Sequence, residues 1–136
     1  MTPGINHVIV NTNNYQKSKA FYGWLLPAVG FNKVVEHGGG TGWYGVNSSF
    51  WIKEASPEFS HDTFNKDRVG ICEIALAAES REQIDSLANK IEAHGARIIY
   101  APKEYPYVPG YYALFFADPD GIKLELVHIP TRATPK

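Results

Sequence analysis

The sequence contains a single cysteine, Cys72, and no excess of charge of either sign. One cysteine excludes a disulfide within the chain and favours a reducing compartment, so we expect a cytoplasmic protein in which Cys72 packs as a small hydrophobic side chain. The 13 basic and 14 acidic residues nearly cancel, and lysine and arginine do not cluster anywhere. The composition therefore argues against nucleic acid as a partner.

Long apolar runs are also missing. No stretch approaches the length that a bilayer crossing requires, so we expect no membrane association. Met1-Thr-Pro-Gly leads straight into a strand-like run without a basic start, and we expect no secretory signal. The 136 residues are 44% hydrophobic and 13% aromatic, which suffices for a globular core, and we predict a single domain over residues 1–136.

The chain repeats one order of elements. The first half reads as a strand, a helix and three strands, at 5–10, 15–29, 31–35, 42–46 and 50–53. The second half reads in the same order, at 71–76, 80–94, 97–100, 111–116 and 122–128. We therefore predict an α+β fold in which two βαβββ modules, 4–53 and 70–129, form a cupped, barrel-like mixed sheet around a shared pocket.

Local signals support the element boundaries. Asn13-Asn14 can cap the first helix, and Ser80 with Gln83 three residues later matches a capping box at the second. Gly95 is placed to stop that second helix. Asp118-Pro-Asp-Gly121 predicts a tight turn directly before the last strand.

Three potential metal ligands lie on strands of this repeat: His7 in the first strand, Glu73 in its counterpart, and Glu125 in the last strand. A carboxylate in a buried strand is costly without a partner, and a metal ion is an adequate one. Alternation along the fifth strand sends Glu73 to the face opposite Ile74, which packs on the helix. The residues leave two alternatives open, a hydrogen-bonded interior His7 and a metal-free pair of carboxylates that shares a proton.

Aromatic side chains supply the candidate pocket walls. A proline-stiffened segment carries Tyr105, Tyr107, Tyr111 and Tyr112, and it can be either a lid that offers a tyrosine hydroxyl or an ordinary loop under the sheet. Trp43 and Trp51 are predicted to line the opposite wall. The predicted substrate-binding residues are Trp43, Trp51, Tyr107 and Tyr112, and the predicted catalytic residues are Glu73 and Tyr111.

The order of these motifs resembles the vicinal oxygen chelate superfamily, the fold of glyoxalase I, bleomycin-resistance proteins, fosfomycin-resistance enzymes and extradiol dioxygenases. The resemblance spans roughly residues 4–129. In the first half, the residues that carry the resemblance are 5–10, Ser18-Lys-Ala-Phe-Tyr22 and Gly30-Phe31. In the second half, they are 73–81, Gly95, Gly110-Tyr-Tyr112, and 116–121 together with Glu125.

The resemblance implies a divalent metal ion held by His7, Glu73 and Glu125. Trp51 falls near a fourth ligand position and cannot coordinate, and Glu73 stands where many relatives carry a histidine. One imidazole with two carboxylates favours Mn²⁺, Mg²⁺ or Fe²⁺, while Zn²⁺ also accepts three nitrogen and oxygen ligands.

The same resemblance implies three functions and a homodimer. The leading function is a metal-dependent lyase or isomerase whose small substrate chelates the ion through neighbouring oxygens. One alternative is a small-molecule binding protein without catalysis, like the bleomycin-resistance proteins. The other is an extradiol-type dioxygenase, for which the altered ligand set is less suited.

Overall fold

A computed structural model of the chain describes residues 4–130. Contacts divide the chain into two compact units: unit 1, Met1–Thr63, and unit 2, Phe64–Lys136. Residues 1–3 and 131–136, which the predicted single domain includes, lie outside the described part. Each unit has one four-stranded mixed sheet in the order β-α-β-β-β, so the predicted α+β class with two βαβββ modules is confirmed. Within residues 4–130 the strands form two sheets rather than one closed barrel.

Within residues 4–63, unit 1 contains one α-helix, four strands and a short 3-10 turn, Pro57–Phe59. The α-helix and the strands are β1 His7–Thr12, α1 Tyr15–Ala28, β2 Lys33–His37, β3 Gly40–Tyr44 and β4 Ser49–Glu54. The strand order is β1-β4-β3-β2, with β1 parallel to β4 and the other neighbours antiparallel. The parallel pair is possible because α1 and the β2–β3 hairpin intervene between β1 and β4.

Helix α1 begins at a side-chain cap and buries one face. The Lys17 backbone N–H donates to Asn14 Oδ1 at 3.0 Å, which confirms the predicted cap. Phe21, Tyr22 and Leu25 lie at helical spacing and are fully buried. Burying each such side chain stabilises the fold by about 1.5–3 kcal/mol.

The sheet of unit 1 has a face that packs on α1 and a face that no α-helix among residues 4–63 covers, called here the helix-free face. Strand alternation directs Val10, Trp43 and Ile52 toward α1, and all three are buried. The alternate residues lie on the helix-free face, where Ile9 is 52% exposed. The two faces therefore separate core residues from candidate site residues.

Unit 2 repeats the arrangement. Its elements are β5 Ile74–Ala77, α2 Arg81–Ala88, β6 Arg97–Glu104, β7 Tyr112–Ala117 and β8 Lys123–His128. The strand order is β5-β8-β7-β6, with β5 parallel to β8. Its helix-free face is defined in the same way, as the sheet face turned away from α2.

Helix α2 begins at the predicted Ser80 cap, although Gln83 bonds back to the Glu79 N–H rather than to the Ser80 N–H of a full capping box, and the helix ends early. Ser80 Oγ accepts from the Gln83 N–H at 3.0 Å, and Gln83 Oε1 accepts from the Glu79 N–H at 2.8 Å. The helix stops at Ala88 rather than 94, and a short 3-10 turn, Glu92–His94, follows before Gly95 at φ 91°. No helix within residues 4–130 combines the length and apolarity of a membrane span.

Two strands of unit 2 differ from their predicted bounds by more than one residue. Strand β6 runs four residues further than predicted and includes Pro102, where its pairing with β7 shifts register between Tyr100 and Lys103. Proline is tolerated there because β6 is the last strand of the sheet and the irregular pairing needs no amide from it. Strand β5 begins at Ile74, so Cys72 lies outside the strand and is exposed. The expectation that Cys72 packs as a small hydrophobic side chain is wrong.

The turn before β8 is built as its sequence predicts. Asp118 Oδ1 accepts from the backbone N–H groups of Asp120 and Ile122, at 2.8 and 2.9 Å. The Gly121 N–H donates to the Asp118 carbonyl, and its φ of 86° explains the need for glycine. This turn fixes the start of β8 and thereby the face on which Glu125 lies.

Candidate functional site

The first candidate site is a pair of carboxylates, Glu73 and Glu125, in unit 2. Glu125 lies in β8, beside Ala75 of β5 and opposite Phe115 of β7, and is only 4% exposed. Its neighbours Leu124 and Leu126 are fully buried on the helix side, so Glu125 belongs to the helix-free face. The Tyr111 hydroxyl donates a hydrogen bond to Glu125 Oε2.

Glu73 lies one residue before β5 and is only partly neutralised. Its Oε1 is 3.7 Å from the Lys123 ammonium nitrogen, which also lies 5.0 Å from the ring centre of Phe115. Its Oε2 is buried and has no hydrogen-bond partner among residues 4–130. Sequence reasoning missed Lys123, although it precedes Glu125 by two residues and therefore shares its face.

Burial raises the pKa of Glu125 to about 7. The nearby Glu73 contributes to this rise, because a protonated Glu125 can donate to Glu73 and because two charged carboxylates repel each other. The hydrogen bond from Tyr111 and the charge of Lys123 act in the opposite direction. The pair of carboxylates is therefore suited to hold one proton, or a cation in its place.

A cluster of tyrosine rings begins at Tyr111, the residue that bonds to Glu125. Burial, followed by the bond to Glu125, raises the pKa of Tyr111, so its hydroxyl remains a donor. Tyr107 meets Tyr111 edge to face at 5.0 Å, and Tyr105 stacks on Tyr107 at 5.3 Å. The Tyr105 hydroxyl is buried without a partner among residues 4–130, and burial raises its pKa. Tyr105 is a second polar group that the predicted site residues did not include.

Tyr112 points in the direction opposite to Tyr111. Its hydroxyl donates to Asp85 of α2 at 2.6 Å, and the Arg81 guanidinium lies 4.8 Å from its ring centre. Successive residues of a strand face opposite sides of the sheet, which explains the separation. Within unit 2, Tyr107 and Tyr111 therefore lie near the carboxylates, and Tyr112 does not.

The second candidate site is a cleft of about 410 Å³ on the helix-free face of unit 1. His7, Trp51 and Lys53 are among its lining residues. The Trp51 indole N–H donates to Ser49 Oγ at 3.0 Å, and Tyr44 meets the indole edge to face at 5.9 Å. The indole is thus held from two sides in one orientation.

The two tryptophans predicted to bind substrate lie on opposite faces of this sheet. Trp43 is 1% exposed and lies under α1, 6.4 Å from the ring centre of Tyr22. Trp51 is half-buried and lines the cleft. Trp43 is therefore part of the core of unit 1, and Trp51 is part of its candidate site.

His7 lies in unit 1, exposed at the start of β1. Its Nδ1 is 2.7 Å from Asn6 Oδ1, and because an amide oxygen only accepts, Nδ1 carries the hydrogen. The other ring nitrogen, Nε2, then has its lone pair free for a proton or a metal ion. Residues 4–130 contain no group of three or more histidine, cysteine, aspartate or glutamate side chains arranged to hold a metal ion. The ligand set His7, Glu73 and Glu125 stays a prediction.

Gly42 fixes the position of Trp51, and this can be tested. A Cβ on Gly42 would overlap the indole of Trp51, whereas a Cβ on Gly23 would meet Trp43 at an ordinary 3.9 Å. We expect Gly42→Ala to displace the indole, change the near-ultraviolet circular dichroism and cost about 1–3 kcal/mol in urea unfolding. Gly23→Ala is the matched control and should leave the spectrum unchanged. An unchanged spectrum in Gly42→Ala would contradict this packing.

Comparison with known proteins places the chain among relatives with the same architecture. Residues 4–126 match the family model described as Glyoxalase/Bleomycin resistance protein/Dioxygenase superfamily. A Bacillus subtilis protein named YqjT, itself uncharacterized, is 31% identical over 125 residues, which are 90% of this chain and 97% of that protein.

Solved structures agree with the family match. The crystal structure of a candidate glyoxalase from Bacillus halodurans is 30% identical, with a TM-score of 0.79 over 92% of this chain and 95% of that one. A glyoxalase/bleomycin resistance protein from Albidiferax ferrireducens T118 is 26% identical, with a TM-score of 0.74 over 92% of this chain and 98% of that one.

Proposed function

The chain belongs to the Glyoxalase/Bleomycin resistance protein/Dioxygenase superfamily, and on that premise we propose that it is a divalent-metal-dependent enzyme of lyase or isomerase type. The proposal assigns Glu73 and Glu125 as carboxylate ligands and His7 as the imidazole ligand. The substrate is a small molecule that chelates through neighbouring oxygens. When bound, the ion would supply Lewis-acid stabilisation of negative charge on substrate oxygen.

The observation that carries the proposal is the buried pair of carboxylates in unit 2. Glu125 is almost inaccessible to water, and Glu73 Oε2 lacks a hydrogen-bond partner among residues 4–130. Two such groups repel when both are ionised, and a divalent cation would remove that cost. Carboxylate oxygens suit Mg²⁺, Mn²⁺ and Fe²⁺, and zinc accepts them together with an imidazole.

The surrounding side chains have roles that follow from their contacts. Tyr111 orients Glu125 through its hydroxyl, and that hydroxyl stays protonated because its pKa is raised. The side chain of Glu73 is 31% exposed, so it can exchange a proton with a bound substrate. Lys123 beside Glu73 balances part of the negative charge of the carboxylate pair.

Metal binding by variants tests this assignment. We expect wild type to bind Mn²⁺ or Zn²⁺ stoichiometrically in calorimetric titrations, and we expect Glu125→Gln and His7→Ala to weaken binding at least tenfold, about 1.4 kcal/mol. Exposed His94 and Glu92 provide matched controls, and His94→Ala and Glu92→Gln should bind as wild type does. Failure of wild type to bind either ion would refute the proposal. Normal binding by His7→Ala alone would remove the imidazole from the ligand set.

A second candidate function is binding of a small molecule without catalysis. The cleft of unit 1 supports it, because Trp51, Tyr44 and Ile9 present apolar surface around a volume typical of small-molecule sites. This function requires no metal ion. Ligand binding that persists in the presence of EDTA, without turnover, would favour it over the enzyme.

A further inference from the structure

The helix-free face of unit 1 carries no acidic residue on its four strands. Strand pairing places Lys33, His37 and Lys53 on this face. The glutamates of the same strands, Glu36 and Glu54, alternate to the other face, where Glu36 accepts from Thr41 at 2.8 Å and pairs with Lys19 at 2.8 Å. The charge that the four strands place on the helix-free face is therefore of one sign.

The cleft concentrates this charge beside an aromatic surface. Among residues 4–130, its lining includes Lys53 and His37 and no aspartate or glutamate. Within residues 4–130, no carboxylate forms a salt bridge with the Lys53 ammonium group. An ammonium group without a partner at the edge of a cleft favours an anion from solution.

Trp51 supplies the flat surface of the cleft. One face of its indole lies against Gly42, so the opposite face is available to a ligand. The bond to Ser49 and the edge contact with Tyr44 hold the ring in place before a ligand arrives. Such preorganisation reduces the entropy that binding loses.

We infer that this cleft binds a small planar aromatic carboxylate, with its ring stacked on Trp51 and its carboxylate directed to Lys53 and His37. A volume of about 410 Å³ accommodates one or two fused rings. The inference uses the cleft of the second candidate function and names the class of its ligand. It does not depend on the proposed metal ion.

Three probe molecules separate the contributions of charge and stacking. They are 2-naphthoate, its uncharged isostere 2-naphthamide, and the non-aromatic acid cyclohexanecarboxylate, each titrated calorimetrically at pH 7.5 in EDTA. We expect 2-naphthoate to bind at least about tenfold more tightly than either of the other two. Equal affinity for the amide, or no measurable binding of 2-naphthoate, would overturn the inference.

Variants locate the site. Lys53→Gln should weaken the binding of 2-naphthoate at least about fivefold and leave the binding of 2-naphthamide unchanged. Trp51→Leu should weaken the binding of both aromatic probes. Lys33→Gln is the matched control, because Lys33 is on the same face but does not line the cleft. Lys33→Gln should weaken the binding of 2-naphthoate less than Lys53→Gln does. If the two variants weaken it equally, the lysine charges act from the whole helix-free face, and the assignment of the carboxylate site to the cleft fails.

If Trp51→Leu fails to fold, the amide chemical shifts of the wild-type protein still locate the ligand. Saturating 2-naphthoate should perturb amides of β3 and β4 in wild type, and perturbations confined to unit 2 would overturn the inference. Because EDTA is present throughout, loss of 2-naphthoate binding is distinct from loss of metal binding in Glu125→Gln. The metal proposal and the ligand class can therefore fail separately.

Discussion

Raising the pH from about 4.5 to about 8 is expected to destabilise the metal-free protein by about 3 kcal/mol through Glu125 alone. The carboxyl of Glu125 has its pKa raised from 4.5 to about 7, chiefly by burial and then by Glu73. Tyr111 donates a hydrogen bond to Glu125, and Lys123 lies beside Glu73. Both lower the pKa of Glu125, but they only reduce its rise. Between pH 4.5 and about 7, the folded protein therefore retains a proton on Glu125 that the unfolded chain has released.

The sign follows from proton binding. Between pH 4.5 and about 7 the folded state binds more protons than the unfolded state, so the free energy of unfolding falls as pH rises. The full contribution is present below 4.5, and the loss is complete above about 7. A bound cation would reverse this trend, because it requires an ionised carboxylate.

Glu125→Gln isolates this contribution. Its amide can still accept from Tyr111 and can donate to the unpartnered oxygen of Glu73, so we expect the variant to be about 2 kcal/mol more stable than wild type at pH 8. Urea unfolding in EDTA at pH 4 to 8 measures both profiles. Glu92→Gln, an exposed carboxylate, should follow the wild-type profile. A Glu125→Gln profile with the wild-type slope would contradict the proton assignment.

The second large effect concerns Trp43. We expect Trp43→Ala to cost about 3–5 kcal/mol, because the indole is 1% exposed and its removal leaves a cavity under α1 beside Tyr22. A loss of this size is a large fraction of the stability of a small protein. Urea unfolding followed by far-ultraviolet circular dichroism measures it.

Trp51→Ala is the matched control for Trp43→Ala. Its indole is half-buried on the helix-free face, so we expect a cost of about 1 kcal/mol and loss of aromatic ligand binding instead. Similar costs for the two variants would contradict their placement on opposite faces. The pair thus separates a residue of the core from a residue of the cleft.

Local signals in the sequence were sufficient for much of the fold. The caps at Asn14 and Ser80 and the turn at Asp118 depend on bonds between residues two to four apart, and all were predicted. The sheet face on which Glu125 lies was predicted from the alternation of β8, because Leu124 and Leu126 on either side pack toward the helix. The repeat itself was visible because each half uses the same order of strand, helix and three strands.

Other features depend on tertiary packing that single positions do not encode. Trp43 and Trp51 are equally apolar, and only strand register assigns one to the core and one to the cleft. The same holds for Tyr111 and Tyr112, which are adjacent but face opposite sides. The early end of α2 at Ala88 was missed because Ile91 still packs on the core although the backbone has left the helix.

Strand β6 is the terminal strand of the sheet in unit 2. It contains Pro102, and its pairing with β7 is irregular. The backbone groups along the outside of a terminal strand can pair with another chain, which is how sheets grow into aggregates. Pro102 removes one donor from that row, and the charged Lys103 and Glu104 that follow discourage a regular partner. The outer side of β6 within the sheet of unit 2 is therefore a poor template for regular pairing with another strand.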